Sequence, residues 1–213
     1  TTFGILLPIL AETNKVIAVE LQAHGHTSDR DAPESFEQDA DDVAGLINYL
    51  KIGKADFLGF SNGGNTCMQV GIRHPEIVNK LVIISSIYKR EGMFIGFFEM
   101  MQTATLKDMP IHLKEAFMQI KDDSAALQTM FEKDRNRMLH FTDWRDEDLA
   151  MIKAPSLVLV GDKDVVTPEH AVAMSEKISG SRLMILPGTH GSFIGEGMKD
   201  IKNSKMPMYT ASM

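Results

Sequence analysis

Five short stretches of the chain are apolar with no polar alternation: Val16–Leu21, Asp56–Phe60, Leu81–Ser85, Ser156–Val160 and Leu183–Leu186. They are rich in Val, Ile and Leu. Strands covered on both faces, as in parallel sheets, read this way. Between several of them the period changes. From Ser35 to Leu50, Phe36, Ala40, Val43, Ile47 and Leu50 recur at helical spacing and form one buried stripe. Ser35-Phe36-Glu37-Gln38 reads as a capping box, in which the serine accepts from the Gln38 amide and Gln38 reaches back. A second helix is expected after Ser61, ending near His74-Pro75. A third has Thr167 as N-cap, Pro168 at its first position and Gly180 just past its end. Strand–helix alternation of this kind predicts an α/β fold: a mostly parallel sheet flanked by helices, with right-handed crossovers.

Residues 88–150 break the alternation. They are rich in Met and Phe, among them Met93, Phe94, Phe97, Phe98, Met100, Met101, Phe117, Met118, Met130 and Phe131. Short helices fit this segment better than strands, with Pro110 opening one and Ser124 capping another. The expected organisation is a core from 1–87 and 151–213 carrying a helical cap from 88–150. Two readings of the Met/Phe content stand side by side. One is ordinary core; the other is an adaptable apolar lid over a substrate pocket, which suits the flexible methionine side chain.

Composition narrows the classes of function. The chain has 213 residues, 44% of them hydrophobic, enough for one well-buried core. A net charge of −7 argues against a nucleic-acid partner, which would favour a basic surplus. The single cysteine, Cys67, rules out an intrachain disulfide and a Cys-rich zinc site, and fits a reducing, cytoplasmic setting. No apolar run approaches the ~20 residues of a membrane span.

The candidate chemistry starts at Gly59-Phe60-Ser61-Asn62-Gly63, a match to G-x-S-x-G. Five residues of this kind often mark nothing more than a turn. Here an apolar strand leads in and a helix-compatible stretch, 62–73, leads out, the setting a nucleophilic serine needs. The strained turn calls for small residues two before and two after the serine. It also aims the free N–H groups of the helix start at the site, so that the Asn62 N–H is placed to stabilise an oxyanion. A serine hydroxyl needs a base. Of seven histidines, His190 lies in Pro187-Gly188-Thr189-His190-Gly191, just after the last strand, where ligands bind in open α/β sheets. His24 and His26 could line the same cleft; a metal reading of that pair lacks carboxylate or cysteine partners. The base needs a carboxylate to fix its tautomer. Gly161-Asp162-Lys163-Asp164 follows another strand; Asp162 fits a turn cap, and Asp164 lies further into the loop. Ser61, Asp164 and His190 follow one another in the order that α/β sheets with this turn use.

These elements together resemble the α/β-hydrolase superfamily, in its branch of small bacterial serine hydrolases with a short helical cap. The resemblance spans nearly the whole chain. It rests on Val16–Glu20 with Ala23-His24-Gly25-His26-Thr27-Ser28, on the elbow Gly59–Gly64, on Ala154-Pro155 leading into Leu157–Asp164, on Val166-Thr167-Pro168-Glu169-His170 and on Pro187–Gly191. It implies that the last aspartate of G-x-x-D, Asp164, is the triad acid, and that 88–150 is the family's cap. Members of the family also carry an earlier strand ending in His-Gly, whose loop gives the second oxyanion N–H. His24-Gly25 follows a different strand. The resemblance therefore implies that this strand and donor lie upstream of Thr1, and that Pro207–Met213 is a final helix cut short.

The expected activity is hydrolysis of an ester, lactone or related acyl bond through an acyl-serine, with no cofactor and no metal. The expected partner is a small molecule with an apolar acyl group; dimerisation is open. Carbon–carbon bond hydrolysis, perhydrolysis or haloperoxidase-like chemistry and acyl transfer use the same three residues. A non-catalytic ligand-binding protein that keeps the fold is the alternative from another class.

Overall fold

The structure, a computed structural model, describes residues 2–195. The expected helix at Pro207–Met213 lies outside the described residues. Among the described residues four strands form one parallel sheet in the order β1-β2-β3-β4: β1 Ala55–Phe60, β2 Val78–Ile84, β3 Ser156–Gly161 and β4 Arg182–Leu186. Helices α2 (Phe36–Tyr49), α3 (Asn62–Arg73) and α8 (Pro168–Lys177) belong to the core layers, and α1 (Leu6–Ala11) lies near the start of the chain. Between β2 and β3 come α4 (Phe97–Thr103), α5 (Ile111–Ile120), α6 (Ser124–Leu139) and α7 (Asp146–Leu149).

The central strands β2 and β3 have both faces covered, whereas β1 and β4 are more exposed. One face of the sheet packs Leu81, Ile83, Val158 and Val160 with residues of α2, α3 and α8. The other packs Ile84, Leu159 and Leu186 with Phe193 and Ile194. Strand β2 begins three residues earlier than its apolar run, at Val78. The exposed Asn79 and Lys80 hide that start, yet Lys80 pairs with Asp56 in the ladder and the Asn79 amide donates to the Asp56 carboxylate at 2.6 Å.

Three local expectations need correction. Residues 16–21 form no regular element and no ladder, and Ile17 and Val19 are about 40% exposed. An apolar segment becomes a strand only when its backbone groups find a neighbour, and among the described residues none pairs with this one. At α2, Ser35 does accept from the Gln38 N–H at 3.1 Å, but the Gln38 side chain donates to Asp42 instead of reaching back. At α6 the cap is Asp123, whose carboxylate accepts from the Ala125 and Ala126 amides and interacts better with the positive helix end than the neutral Ser124 could. By contrast, Thr167 caps α8 as expected, accepting from the His170 N–H, with Pro168 at the first position.

The helices after β2 are tied to the core by charge. The Arg137 guanidinium on α6 donates to Asp39 on α2 at 2.7 Å and lies 3.6 Å from Glu34. It also pairs with Asp134. Arg90 donates to the Leu139 and Phe141 carbonyls. Among the described residues no helix is long and apolar enough to cross a membrane.

Candidate active site

Ser61 stands between β1 and α3 at φ 55° and ψ −125°, a conformation that costs a non-glycine residue and is characteristic of a serine held out on a sharp turn. Gly59 makes the turn possible. A Cβ there would stand 2.1 Å from the Gly63 carbonyl oxygen and 2.7 Å from the Cys67 sulfur. The second small residue of the motif is not required in the same way: a Cβ on Gly63 would meet nothing within 4 Å. The crowding is between the Gly59 side-chain position and the Gly63 backbone, so of these two glycines only the first is fixed by sterics.

The three residues expected to act together do meet. His190 Nε2 lies 3.1 Å from Ser61 Oγ, and His190 Nδ1 lies 2.6 Å from Asp164 Oδ1. The ring of Phe60 packs on the imidazole at 4.5 Å between centroids. Asp164 has no exposed side-chain surface. Burial alone would raise its pKa, but the bond and charge of His190, the Ser85 hydroxyl and the Val166 N–H outweigh that and hold it below the usual carboxylate range. Asp164 is therefore an anion facing Nδ1, which keeps the proton there and leaves Nε2 free to accept from the serine.

The other aspartate of the loop has the role of a turn cap. Asp162 accepts from the Gly188 N–H at 2.8 Å, and the Lys163 N–H donates to the Gly188 carbonyl. These bonds lace the acid-bearing loop to the base-bearing one. The contact is close: a Cβ on Gly161 would stand 2.3 Å from the Gly188 oxygen.

Asn62 opens α3, so its N–H is among the first of the helix, which have no intrahelical acceptor. Ser61 and Asn62 line a cavity of about 300 Å³ with His190. Its walls are mainly apolar: Met93, Phe97, Met101, Phe131 and Met138 come from the segment between β2 and β3. The Met/Phe stretch serves more than one neighbourhood: Met138 belongs to the main core, and Met93, Phe97 and Met101 pack against it. The five wall residues also face the cavity, whereas Phe117 and Met130 pack with Leu127 and Ala23 in a cluster of their own.

The remaining histidines lie apart from this centre. His24 Nε2 bonds Asp134, itself on the cavity wall. Burial would lower the His24 pKa, but the Asp134 carboxylate outweighs it and lifts it to about 9. His26 is exposed against Glu20, and His74 bonds Asp41. His170 is buried, stacks on Tyr88 and accepts the Tyr88 N–H through Nε2; burial pushes its pKa down to about 4.

Ser85, Ser86 and Asn65 are part of the site but escape a motif search. The Ser85 hydroxyl donates to Asp164 Oδ2 at 2.6 Å, Ser86 donates to the Ser61 carbonyl at 2.8 Å, and the Asn65 amide holds the Ile87 carbonyl at 2.5 Å. Both serines sit at the carboxyl edge of β2, and that edge is the signal that could have found them.

Comparison with known proteins agrees with this fold. Residues 3–119 match the family model described as the alpha/beta hydrolase fold. The chain is 30% identical over 224 aligned positions to the AB hydrolase superfamily protein YisY of Bacillus subtilis, covering 93% of this chain and 82% of that one. It is 28% identical over 205 positions to the human serine hydrolase BPHL, covering 89% and 68%. Among solved structures, Est816, described as an N-acyl homoserine lactone degrading enzyme, superposes with a TM-score of 0.68 at 25% identity, covering 90% of this chain and 81% of that one. The chain belongs to the α/β-hydrolase fold family, and it is a hydrolase.

Proposed function

We propose that this hydrolase cleaves an ester, lactone or related acyl bond through an acyl-serine intermediate, with Ser61 as nucleophile, His190 as general base and acid, and Asp164 as the residue that orients it. The observation that carries the reading is the continuous chain of contacts from Ser61 Oγ through His190 to the buried Asp164 carboxylate, 3.1 Å and 2.6 Å. Ser61 Oγ adds to the acyl carbon while His190 Nε2 takes its proton, and the carbonyl π pair moves onto oxygen. That oxyanion faces the Asn62 N–H and the positive end of α3. Collapse expels the leaving group, which takes the proton from His190. A water then gives its proton to His190 and its oxygen to the acyl carbon, and the acid departs as Ser61 is restored.

The acyl group is small to medium and apolar, a reading supported by a cavity of about 300 Å³ walled by Met93, Phe97, Met101, Phe131 and Met138. Residues 88–150 act as the lid over it, with Met side chains that adapt to different acyl shapes. Relatives named serine hydrolase and N-acyl homoserine lactone degrading enzyme lend support to an ester- or lactone-type bond.

The test is turnover of p-nitrophenyl acetate, butyrate, octanoate and a carboxylate-bearing ester by the full chain and by Ser61→Ala. The expected result is a preference for uncharged acyl groups and a loss on the order of 10⁴-fold or more in the variant. Turnover that Ser61→Ala does not change, or a preference for the charged ester, contradicts the proposal.

A further inference from the structure

We infer that Ser85 is a positioning residue for the hydrolytic reaction: its hydroxyl fixes the rotation of the Asp164 carboxylate and, through it, the plane of the His190 ring. The inference rests on the roles proposed above for Ser61, Asp164 and His190.

The two oxygens of Asp164 are held unequally. Oδ1 carries the bond from His190 Nδ1 at 2.6 Å, with the Val166 N–H at 3.3 Å. Oδ2 carries the Ser85 hydroxyl at 2.6 Å, with the Gly161 N–H at 3.3 Å. Without that hydroxyl, Oδ2 would keep only the long, weak contact to Gly161. The carboxylate side chain has no exposed surface, so bulk water would not replace the donor. A carboxylate bonded firmly at one oxygen alone can swing about its Cβ–Cγ bond, and the imidazole would follow it.

The backbone of Ser85 points the same way. Its N–H continues the ladder to the Leu159 carbonyl at 2.8 Å, but its φ is +52°, so the chain turns out of β2 at that residue. Glycine adopts such a conformation freely, and any other residue pays a strain for it. Glycine would make this turn more easily, yet the chain has a serine, buried at 3% exposure, whose side chain reaches Asp164. The strain at position 85 is offset by a contact that only a short side chain with a hydroxyl can make there.

Ser85→Ala keeps the strain and removes the hydroxyl; Ser85→Gly removes both. Comparison of the pair separates the two roles. Each variant, as the full chain, is measured for p-nitrophenyl butyrate kinetics from pH 5 to 9 and for thermal unfolding. The expected result is a fall in kcat of about tenfold in both, equal to ~1.4 kcal/mol, with KM unchanged. The acid limb of kcat/KM moves to higher pH in both, because the freed carboxylate leaves more negative charge facing His190. Ser85→Gly melts higher than Ser85→Ala yet is no faster. Wild-type kcat in either variant, recovery of kcat in Ser85→Gly alone, or an unmoved acid limb overturns the inference. If the triad assignment itself fails, the wild-type chain shows no turnover that depends on Ser61, which is a different outcome from a Ser61-dependent enzyme indifferent to position 85.

Discussion

Adding one methyl group at Gly59 or at Gly63 should have very unequal consequences. In Gly59→Ala the new Cβ would lie 2.1 Å from the Gly63 carbonyl oxygen and 2.4 Å from its carbon, both backbone atoms of the first turn of α3. A normal contact needs at least ~3.4 Å between such atoms, so strand and helix must separate by more than an ångström. They have little room to do so. The Ser61 N–H is bonded to the Ile84 carbonyl at 2.8 Å, and the Gly64 N–H to the Ser61 carbonyl at 2.9 Å. Overpacking in a close-packed interior costs about 1–3 kcal/mol where side chains can yield, and a backbone neighbour yields less, so the upper end of that range is expected. In Gly63→Ala the Cβ meets nothing within 4 Å, and the gain in helix propensity is at most ~1 kcal/mol. Urea unfolding followed by far-UV circular dichroism, with p-nitrophenyl butyrate turnover on the same samples, reads both effects. Gly59→Ala should lose about 3 kcal/mol and most of its activity, since Ser61 moves with the turn; Gly63→Ala should stay within 1 kcal/mol of wild type. Equal tolerance at the two positions would refute the assignment of the close contact to Gly59 and not to Gly63.

Two further predictions come from buried titrating groups. Glu34, almost wholly buried, has its pKa pushed up to about 7, first by burial and then by the negative charge of Asp134, against the pull of Arg137 and His24. A carboxyl raised in the folded state contributes stability that is fully present below its unfolded pKa of 4.5 and is lost as pH rises through about 7. Glu34→Gln should therefore match wild type near pH 4.5 and exceed it by on the order of 2–3 kcal/mol at pH 8; a gain that does not grow with pH contradicts the burial argument. His170 is the reverse case. Its pKa is pushed down to about 4, by burial and then by the charge of Lys89, so the stability tied to its neutral form is full above 6.5 and is lost as pH falls toward 4. His170→Gln keeps an acceptor for the Tyr88 N–H and should flatten the fall in melting temperature between pH 6.5 and 4; an unchanged slope counts against it.

What could be read from the sequence was what short-range pattern and chain order determine. The apolar runs at β1, β2, β3 and β4, the stripe of α2 and the caps of Ser35 and Thr167 each depend on residues within a few positions of one another. The site followed because the carboxyl edge of a parallel sheet gathers loops, and Ser61, Asp164 and His190 all lie just past strands. Pairing is a different matter. Val16–Leu21 has the same composition as the true strands, but a ladder requires a neighbour that composition does not reveal. At Gln38 and Ser124 a nearby carboxylate, Asp42 or Asp123, competes for the same bonds and wins through charge. Ser85 was hidden by its neighbours: after Leu81–Ile84 it looks like one more strand residue, and only its positive φ and its reach to Asp164, 79 positions away, set it apart.

Covalent trapping tests the central assignment most directly. A fluorophosphonate reacts only with a serine made nucleophilic by its surroundings, so the modified chain can be digested and the adduct located by mass spectrometry. One phosphonyl group per chain on the peptide carrying Ser61, with labelling slowed at least 100-fold in His190→Ala, is the result this account predicts. A label on any other residue, or labelling of Ser61 at an undiminished rate without His190, would contradict it.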